Sequence, residues 1–192
     1  MKHTGLLITL AIVAVALVWG FKTYNKLVKM DEGVKASWSQ VENVYQRRAD
    51  LIPNLVATVK GYAEHESGTL EAVTEARGKV GQINVTDLSE ESIKNFQAAQ
   101  GQLTSALSRL MAVVENYPDL KANENFKDLQ AQLEGTENRI AEARREFNET
   151  AKAYNTKVRS IPANIVAAIA KFDQKGYFTA EEGAQTAPKV QF

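Results

Sequence analysis

The chain has 192 residues, and its 23 Lys and Arg balance 23 Asp and Glu, which argues against a globally basic nucleic-acid binder and against an acidic solvating chain. It contains no Cys and only two His, which excludes disulfides, thiol catalysis, thiolate or His-rich metal sites and a Cys-linked lipid anchor. Gly (11) and Pro (4) are sparse while Ala is abundant, a balance that favours helix because the dominant side chains lose little rotamer freedom there.

The first element is an uncharged run over residues 5–21, ending Val18-Trp19-Gly20-Phe21. At about 1.5 Å per residue its 17 residues span about 25 Å, slightly short of a hydrocarbon core. Lys2 and Lys22 extend it by snorkelling, and Trp19 and Phe21 suit the interface. A cleaved signal peptide also has a basic start and an apolar centre, but no A-x-A-like site follows and the helical pattern continues. The run therefore reads as a retained single-pass transmembrane helix in the cell membrane. Lys22, Lys26, Lys29 and Lys35 follow it, so the positive-inside rule favours a cytoplasmic body with the N-terminus outside; the alternative is an extracytoplasmic body.

Beyond the run the apolar residues fall on three long stripes at three-four spacing, as in a coiled coil. The first is Val34, Trp38, Val41, Tyr45, Ile52, Leu55, Val59 and Tyr62, with a gap at Arg48, continuing through Leu70, Val73 and Val80. Pro53 inside it removes one backbone bond and predicts a kink. Gly78, Gly81 and Asn84 mark its end. The second helix starts near Asp87 or Ser89, with Asp87 and Glu90 spaced as a capping-box variant, and carries Ile93, Phe96, Gln100, Leu103, Leu107, Leu110, Val114 and Tyr117 before Pro118 closes it. The third starts near Asn123 and carries Phe126, Leu129, Leu133, Thr136, Ile140, Ala143, Phe147, Thr150, Tyr154, Val158 and Ile161, and Pro162 closes it. A short fourth helix is expected at residues 163–172, with Ile165, Ile169 and Phe172 on one side.

The predicted fold is all-α: an N-terminal tip (1–4), a transmembrane helix (5–21), a long antiparallel up-and-down bundle of three long helices plus a short fourth (22–178), and a C-terminal tail (179–192) whose Pro188-Lys189-Val190-Gln191-Phe192 end alternates and suits extended docking. Read as one piece, the first soluble helix runs about 50 residues or 75 Å and exceeds the second by about 30 Å. Its membrane-proximal stripe, Val34, Trp38, Val41 and Tyr45, would then lack an intrachain partner, and these four residues become a candidate homo-oligomer interface unless the fourth helix or the tail covers them.

Further residues resemble a known family. They are Tyr24-Asn25-Lys26-Leu27-Val28, the stretch from Val34 to Trp38, and above all Arg48-Ala49-Asp50-Leu51-Ile52-Pro53-Asn54-Leu55-Val56. Lys60, Tyr62-Ala63, His65-Glu66 and Ala76-Arg77 follow. The third helix adds Asn125-Phe126, Leu129-Gln130, Leu133-Glu134, Thr136-Glu137-Asn138-Arg139-Ile140, Ala143-Arg144 and Tyr154-Asn155, and the end adds Pro162, Asn164, Tyr177-Phe178 and Pro188-Lys189-Val190. Over nearly its whole length the chain resembles the LemA family of bacterial membrane proteins. Arg145-Glu146-Phe147-Asn148 departs from the pattern, since many relatives carry Tyr before that Asn. The resemblance implies one N-terminal membrane helix and a long helical bundle, and it points toward membrane stress responses and large assemblies.

Few residues suggest chemistry. Arg48 occupies an apolar-stripe position beside the Pro53 kink, and with Asp50, Glu134 and Glu137 as counter-charges it forms a candidate buried polar layer that sets helix register, in preference to a ligand site. Glu64-His65-Glu66 does not read as a metal site, because adjacent helical positions point about 100° apart. Glu134, Glu137 and Arg144 read as ion pairs rather than acid-base groups. Asn54, Asn138, Asn148 and Asn155 are poor choices inside helices, and Asn148 and Asn155 are seven residues apart, so they either bond across helices or face solvent. No phosphate loop or nucleophile elbow occurs. The sequence thus predicts no enzyme, no catalytic residue, no cofactor and no metal. It predicts a membrane-anchored helical scaffold that self-associates or binds another protein, with no nucleic-acid partner. A membrane-remodelling or envelope-stress protein whose helices contact lipid is the alternative, with Lys22, Lys26 and Lys29 favouring anionic lipid near the anchor.

Overall fold

A computed structural model of the chain describes residues 2–180. Among them every regular element is helical, as the three stripes require: α1 (Lys2–Lys60), a single 3₁₀ turn (Glu64–Glu66), α2 (Ser67–Gly81), α3 (Glu90–Val114), α4 (Pro118–Ala122), α5 (Glu124–Arg159) and α6 (Ala163–Ala170). The Pro188–Phe192 docking expectation lies outside the described residues.

α1 is one unbroken helix from the apolar run into the body. Its large apolar side chains from Leu6 to Phe21 are exposed, and burial begins at Thr23 and Leu27. Pro53 does not stop it. Proline has no N–H to offer the carbonyl one turn back, and that carbonyl, Ala49 O, instead accepts from Arg77 Nε of α2 at 2.8 Å.

The expected 50-residue first soluble helix is corrected. The chain reverses after Lys60, where Tyr62 N and Ala63 N both donate to Val59 O, and α2 runs back along α1. Leu70, Val73 and Ala76 of α2 share a core with Ile52, Leu55 and Val59, whereas Ile83 and Val85 just beyond it pack against the core that holds Trp38 and Tyr45. α3 then runs outward beside α1: Phe96 near its start meets Trp38 and Tyr45 with ring centroids 5.2 and 5.1 Å away, while Leu110 and Val114 at its end join the Ile52–Val59 core. α5 returns antiparallel to α1. The result is a four-helix bundle of α1, α2, α3 and α5, whose stripes close on each other without a protruding length.

Helix ends follow the local chemistry, with two changes from expectation. The Ser89 hydroxyl caps α3 by accepting from Ser92 N, and Asp87 supports it by accepting from Ser89 N and Ser92 Oγ, so Asp87 takes part with Ser89 and Ser92 and not with Glu90. Pro118 opens α4 at its first turn instead of merely closing α3. Asn123 caps α5 through Phe126 N, as its position predicts. The terminal stripe residues Tyr62 and Ile161 are exposed because α1 and α5 end just before them.

Candidate functional site

Two arrangements in the body hold polar groups in unusual places. The first lies between the two apolar cores. Arg48 is 1% exposed, at the one gap in the first stripe. Its Nη1 donates to Glu137 Oε1 of α5 at 2.9 Å and to Thr104 Oγ1 of α3 at 3.1 Å, and its Nη2 donates to Gln100 Oε1. The guanidinium also lies 5.0 Å from the centre of the Tyr45 ring. Burial raises the Tyr45 hydroxyl pKa, against the opposing charges of Arg144 and Arg48. Arg48 Nε has no hydrogen-bond partner among the described residues. One planar fork thus ties α1, α3 and α5 together at a single level.

Of the four residues expected in this layer, the structure brings together Arg48 and Glu137 only. Asp50 is two residues from Arg48, about 200° around the helix, and accepts instead from Gln46 on the surface at 2.7 Å. Glu134 is exposed and accepts from Gln130 at 3.0 Å. Gln100 and Thr104 complete the layer. Gln100 was visible as the one polar residue on the second stripe, whereas Thr104 stands off every stripe.

The second arrangement is an extended C-terminal segment threaded between α3 and α5. Three side-chain amides each exchange two hydrogen bonds with one backbone unit, as a neighbouring β-strand would. Asn155 bonds Lys175 N and O, both at 2.8 Å. Asn148 bonds Phe178 N and O at 2.9 and 2.8 Å. Gln97 bonds Thr179 N and O at 3.1 and 2.8 Å. Gly176 N donates to Leu88 O at 2.8 Å, and a Cβ at Gly176 would fall 2.6 Å from Glu90 Cα, so only glycine fits. Phe178 stacks on Trp38 at 5.9 Å and meets Phe147 edge-on at 5.6 Å. Arg144 lies 4.9 Å from the centre of the Phe178 ring and donates to Thr179 O; among the described residues it has no acidic partner. Asn54 and Asn138 face solvent, whereas Asn148 and Asn155 bond this extended segment and not another helix, so bonding across helices, one of the two outcomes expected for the asparagines, is not seen at either.

Charge fastens the same segment. Lys175 Nζ sits 2.8 Å from Asp31 Oδ1 of α1, and Lys35 sits 2.9 Å from Asp31 Oδ2. Burial pushes the Asp31 carboxyl up, but hydrogen bonds and charge from Lys175 and Lys35 outweigh it and hold the pKa below the ordinary value. Tyr154 donates its hydroxyl to Asp173 O at 3.0 Å, and burial, with Asp31 and Asp173 nearby, pushes its pKa up to about 12.

The expected oligomer stripe is corrected by this packing. Val34, Trp38, Val41 and Tyr45 are all buried within the chain, covered by α3, α5 and Phe178. Gln97 and Lys175 are not marked by the sequence, and Phe178 stands out there only as part of the Tyr177-Phe178 pair that carries the family resemblance; the repeated Asn in α5 is the other available signal.

Among the described residues no cluster of three His, Asp or Glu side chains is placed to hold a metal. His65 is exposed, and Glu66 accepts from Tyr117 Oη at 3.1 Å. The polar groups that do converge neutralise one another and brace helices, and the α1 run is long and apolar enough to cross a membrane.

The chain is 28% identical over 203 residues to magnetosome protein MamQ 2 of Paramagnetospirillum magneticum, covering 96% of this chain and 75% of that protein. It is 31% identical over 182 residues to magnetosome protein MamQ of Magnetospirillum gryphiswaldense, covering 85% and 67%. It is 26% identical over 143 residues to protein LemA of Metamycoplasma hominis, covering 74% and 63%. Residues 37–192, which hold both the arginine layer and the threaded segment, match the LemA family, and the chain belongs to that family.

Proposed function

We propose that this is a non-enzymatic, membrane-anchored scaffold: residues 5–21 cross the cell membrane once, and residues 22–178 form a rigid helical body that partners grip from outside. The observation that carries this reading is the continuity of α1, which is apolar and uncovered to Phe21 and then becomes the central strut of the body without a break. The lysines that follow the run favour a cytoplasmic body. Protease added to intact spheroplasts tests the orientation: a spared body supports it, and digestion reverses it.

Self-association remains part of the proposal, but its surface moves. With the 34–45 stripe taken up by the chain itself, the uncovered apolar helix offers a face to a second copy. The chain has no native Cys, so cysteines introduced singly at Ile12 and at Trp38 separate the cases. Crosslinking at Ile12 alone supports association through the membrane helix, and a monomer by light scattering with no crosslink at either position removes self-association from the reading.

The lipid-contacting alternative is favoured by one specific observation: Ile161, Ile165 and Ile169 beside the membrane end of α1 are 85%, 58% and 80% exposed.

A further inference from the structure

We propose that α6 is a second membrane element, seated at the bilayer interface beside the end of the membrane helix with Ile161, Ile165 and Ile169 in the lipid. The inference rests on residues 5–21 crossing the membrane and adds a site which that reading does not contain.

The sequence 160–170 is Ser-Ile-Pro-Ala-Asn-Ile-Val-Ala-Ala-Ile-Ala, eleven residues without a charge, bracketed by Arg159 and Lys171. A helix this short gains little from its own backbone bonds and holds its shape by what it packs against. One face is accounted for. Ala163 and Ala167 are buried, and Phe172 beyond the helix meets Tyr24 of α1 with ring centroids 5.6 Å apart. The opposite face of α6 carries Ile165 and Ile169, four residues apart and so in one line, Ile161 just before the helix is exposed as well, and none of the described residues covers the three. In a water-soluble body such a row would be an exposed apolar patch with no reason to persist.

The position of α6 identifies what covers it. Val166, Ile169 and Ala170 wall an open apolar groove of about 400 Å³ together with Ala16, Leu17, Gly20, Phe21 and Tyr24 of α1. Five of the eight lining residues therefore lie on the last turns of the apolar run or just past it. Ala16 lies five residues before Phe21, about 7–8 Å deeper at 1.5 Å per residue. Amphipathic helices that lie in the bilayer interface bury their apolar face about 5–10 Å into the boundary of headgroups and chains. α6 thus stands at the depth where such a helix belongs, and the small side chains Ala16 and Gly20 leave the groove open for acyl chains. Arg159 and Lys171 at its two ends, with Lys22 and Lys26 on α1, supply cations at headgroup level and favour anionic lipid. A second copy would need a complementary apolar row, and the bilayer is already present at this level.

The test uses the full chain in phosphatidylglycerol–phosphatidylcholine vesicles. Single cysteines at Val13, Arg139, Ile165 and Ile169 are labelled with an environment-sensitive fluorophore, and quenching is compared between nitroxide on the lipid acyl chains and iodide in the water. Ile165 and Ile169 are solvent-facing in the chain, so labels there leave the core intact. The expected result is blue-shifted emission at positions 165 and 169 that acyl-chain nitroxide quenches and iodide does not, as at position 13, with the reverse at position 139. Iodide quenching at 165 and 169 with normal lipid quenching at 13 overturns the proposal and leaves the anchor standing. Protection from both quenchers at 165 and 169 shows a protein cover, a second copy or another chain, and also overturns it. Loss of lipid quenching at position 13 removes the anchor and the proposal with it.

Discussion

Arg77 Nε and Ala49 O are 2.8 Å apart, and the pair resolves a problem created four residues further on. Pro53 deprives Ala49 of its helical donor, and the charged donor that replaces it comes from α2. The proline that would weaken an isolated helix therefore becomes the point where α2 attaches. Arg77→Ala is expected to lower stability by about 1.5–3 kcal/mol, the range for a hydrogen bond that involves a charged group. Pro53→Ala restores the backbone donor, so in that background the loss from Arg77→Ala should shrink. Thermal melts of the four proteins in detergent form a double-mutant cycle, and strictly additive effects would show that the two residues are not coupled.

The arginine layer should respond unequally at its two ends. Arg48→Ala leaves a cavity and an unpaired Gln100 amide in the core, at an expected cost of about 2–4 kcal/mol. Glu137→Gln should cost about 1 kcal/mol or less, because the Glu137 side chain is 46% exposed and Gln100 and Thr104 still accept from Arg48. Equal losses from the two substitutions in denaturant titrations would contradict this account of the layer.

Asn148→Asp and Asn155→Asp keep side-chain shape but replace an N–H donor with a carboxylate facing a backbone carbonyl. Each should free the extended segment while leaving the bundle folded. Hydrogen exchange then accelerates at residues 175–179, with little change at Leu55, Leu110 or Phe147. Gly176→Ala should do the same by collision with the Glu90 backbone. Unchanged protection at 175–179 in all three variants would mean that the amides do not hold the segment.

Acid should release the segment by a different route. The Asp31 pKa is lower in the folded chain than its ordinary value of 3.8. A lowered carboxylate pKa stabilises fully above the unfolded value and loses its effect as pH falls through the folded one. Hydrogen bonds from Ser89 and Ser92 lower Asp87 to about 2, so the cap of α3 weakens over the same descent. Near-ultraviolet dichroism from Trp38, which stacks on Phe178, should therefore decline below about pH 4. Asp31→Asn should show part of that loss already at pH 6, and an Asp31→Asn titration identical to the parent's would exclude the Lys175 pair as the cause.

Much of this fold is written in period. Residues such as Trp38, Leu55, Leu107, Leu133 and Phe147 recur at three-four spacing, and each is buried. The reversal after Lys60 was hidden by the same signal, since Val59, Leu70 and Val73 keep an apolar rhythm across a turn whose only marker is Gly61. Arg48 was conspicuous as a gap in a stripe, and its partners divided by angle: Glu137 faces inward toward it, while Asp50 and Glu134 point elsewhere. The threaded segment was the hardest feature to read. Its order comes from side-chain amides on distant helices, and an extended segment held by side chains leaves no periodic pattern of its own.

The unbroken course of α1 has a mechanical consequence. The 39 residues from 22 to 60 form a lever of about 58 Å at 1.5 Å per residue. A lever without a joint does not absorb motion at its base, so a 10° change in tilt of the apolar run swings the far end by about 10 Å on that length. The turn at residues 61–66, with the Tyr62–Asn123 and Glu66–Tyr117 hydrogen bonds around it, rides on that far end. On the membrane crossing proposed above, whatever tilts residues 5–21 therefore also moves a surface about 58 Å away.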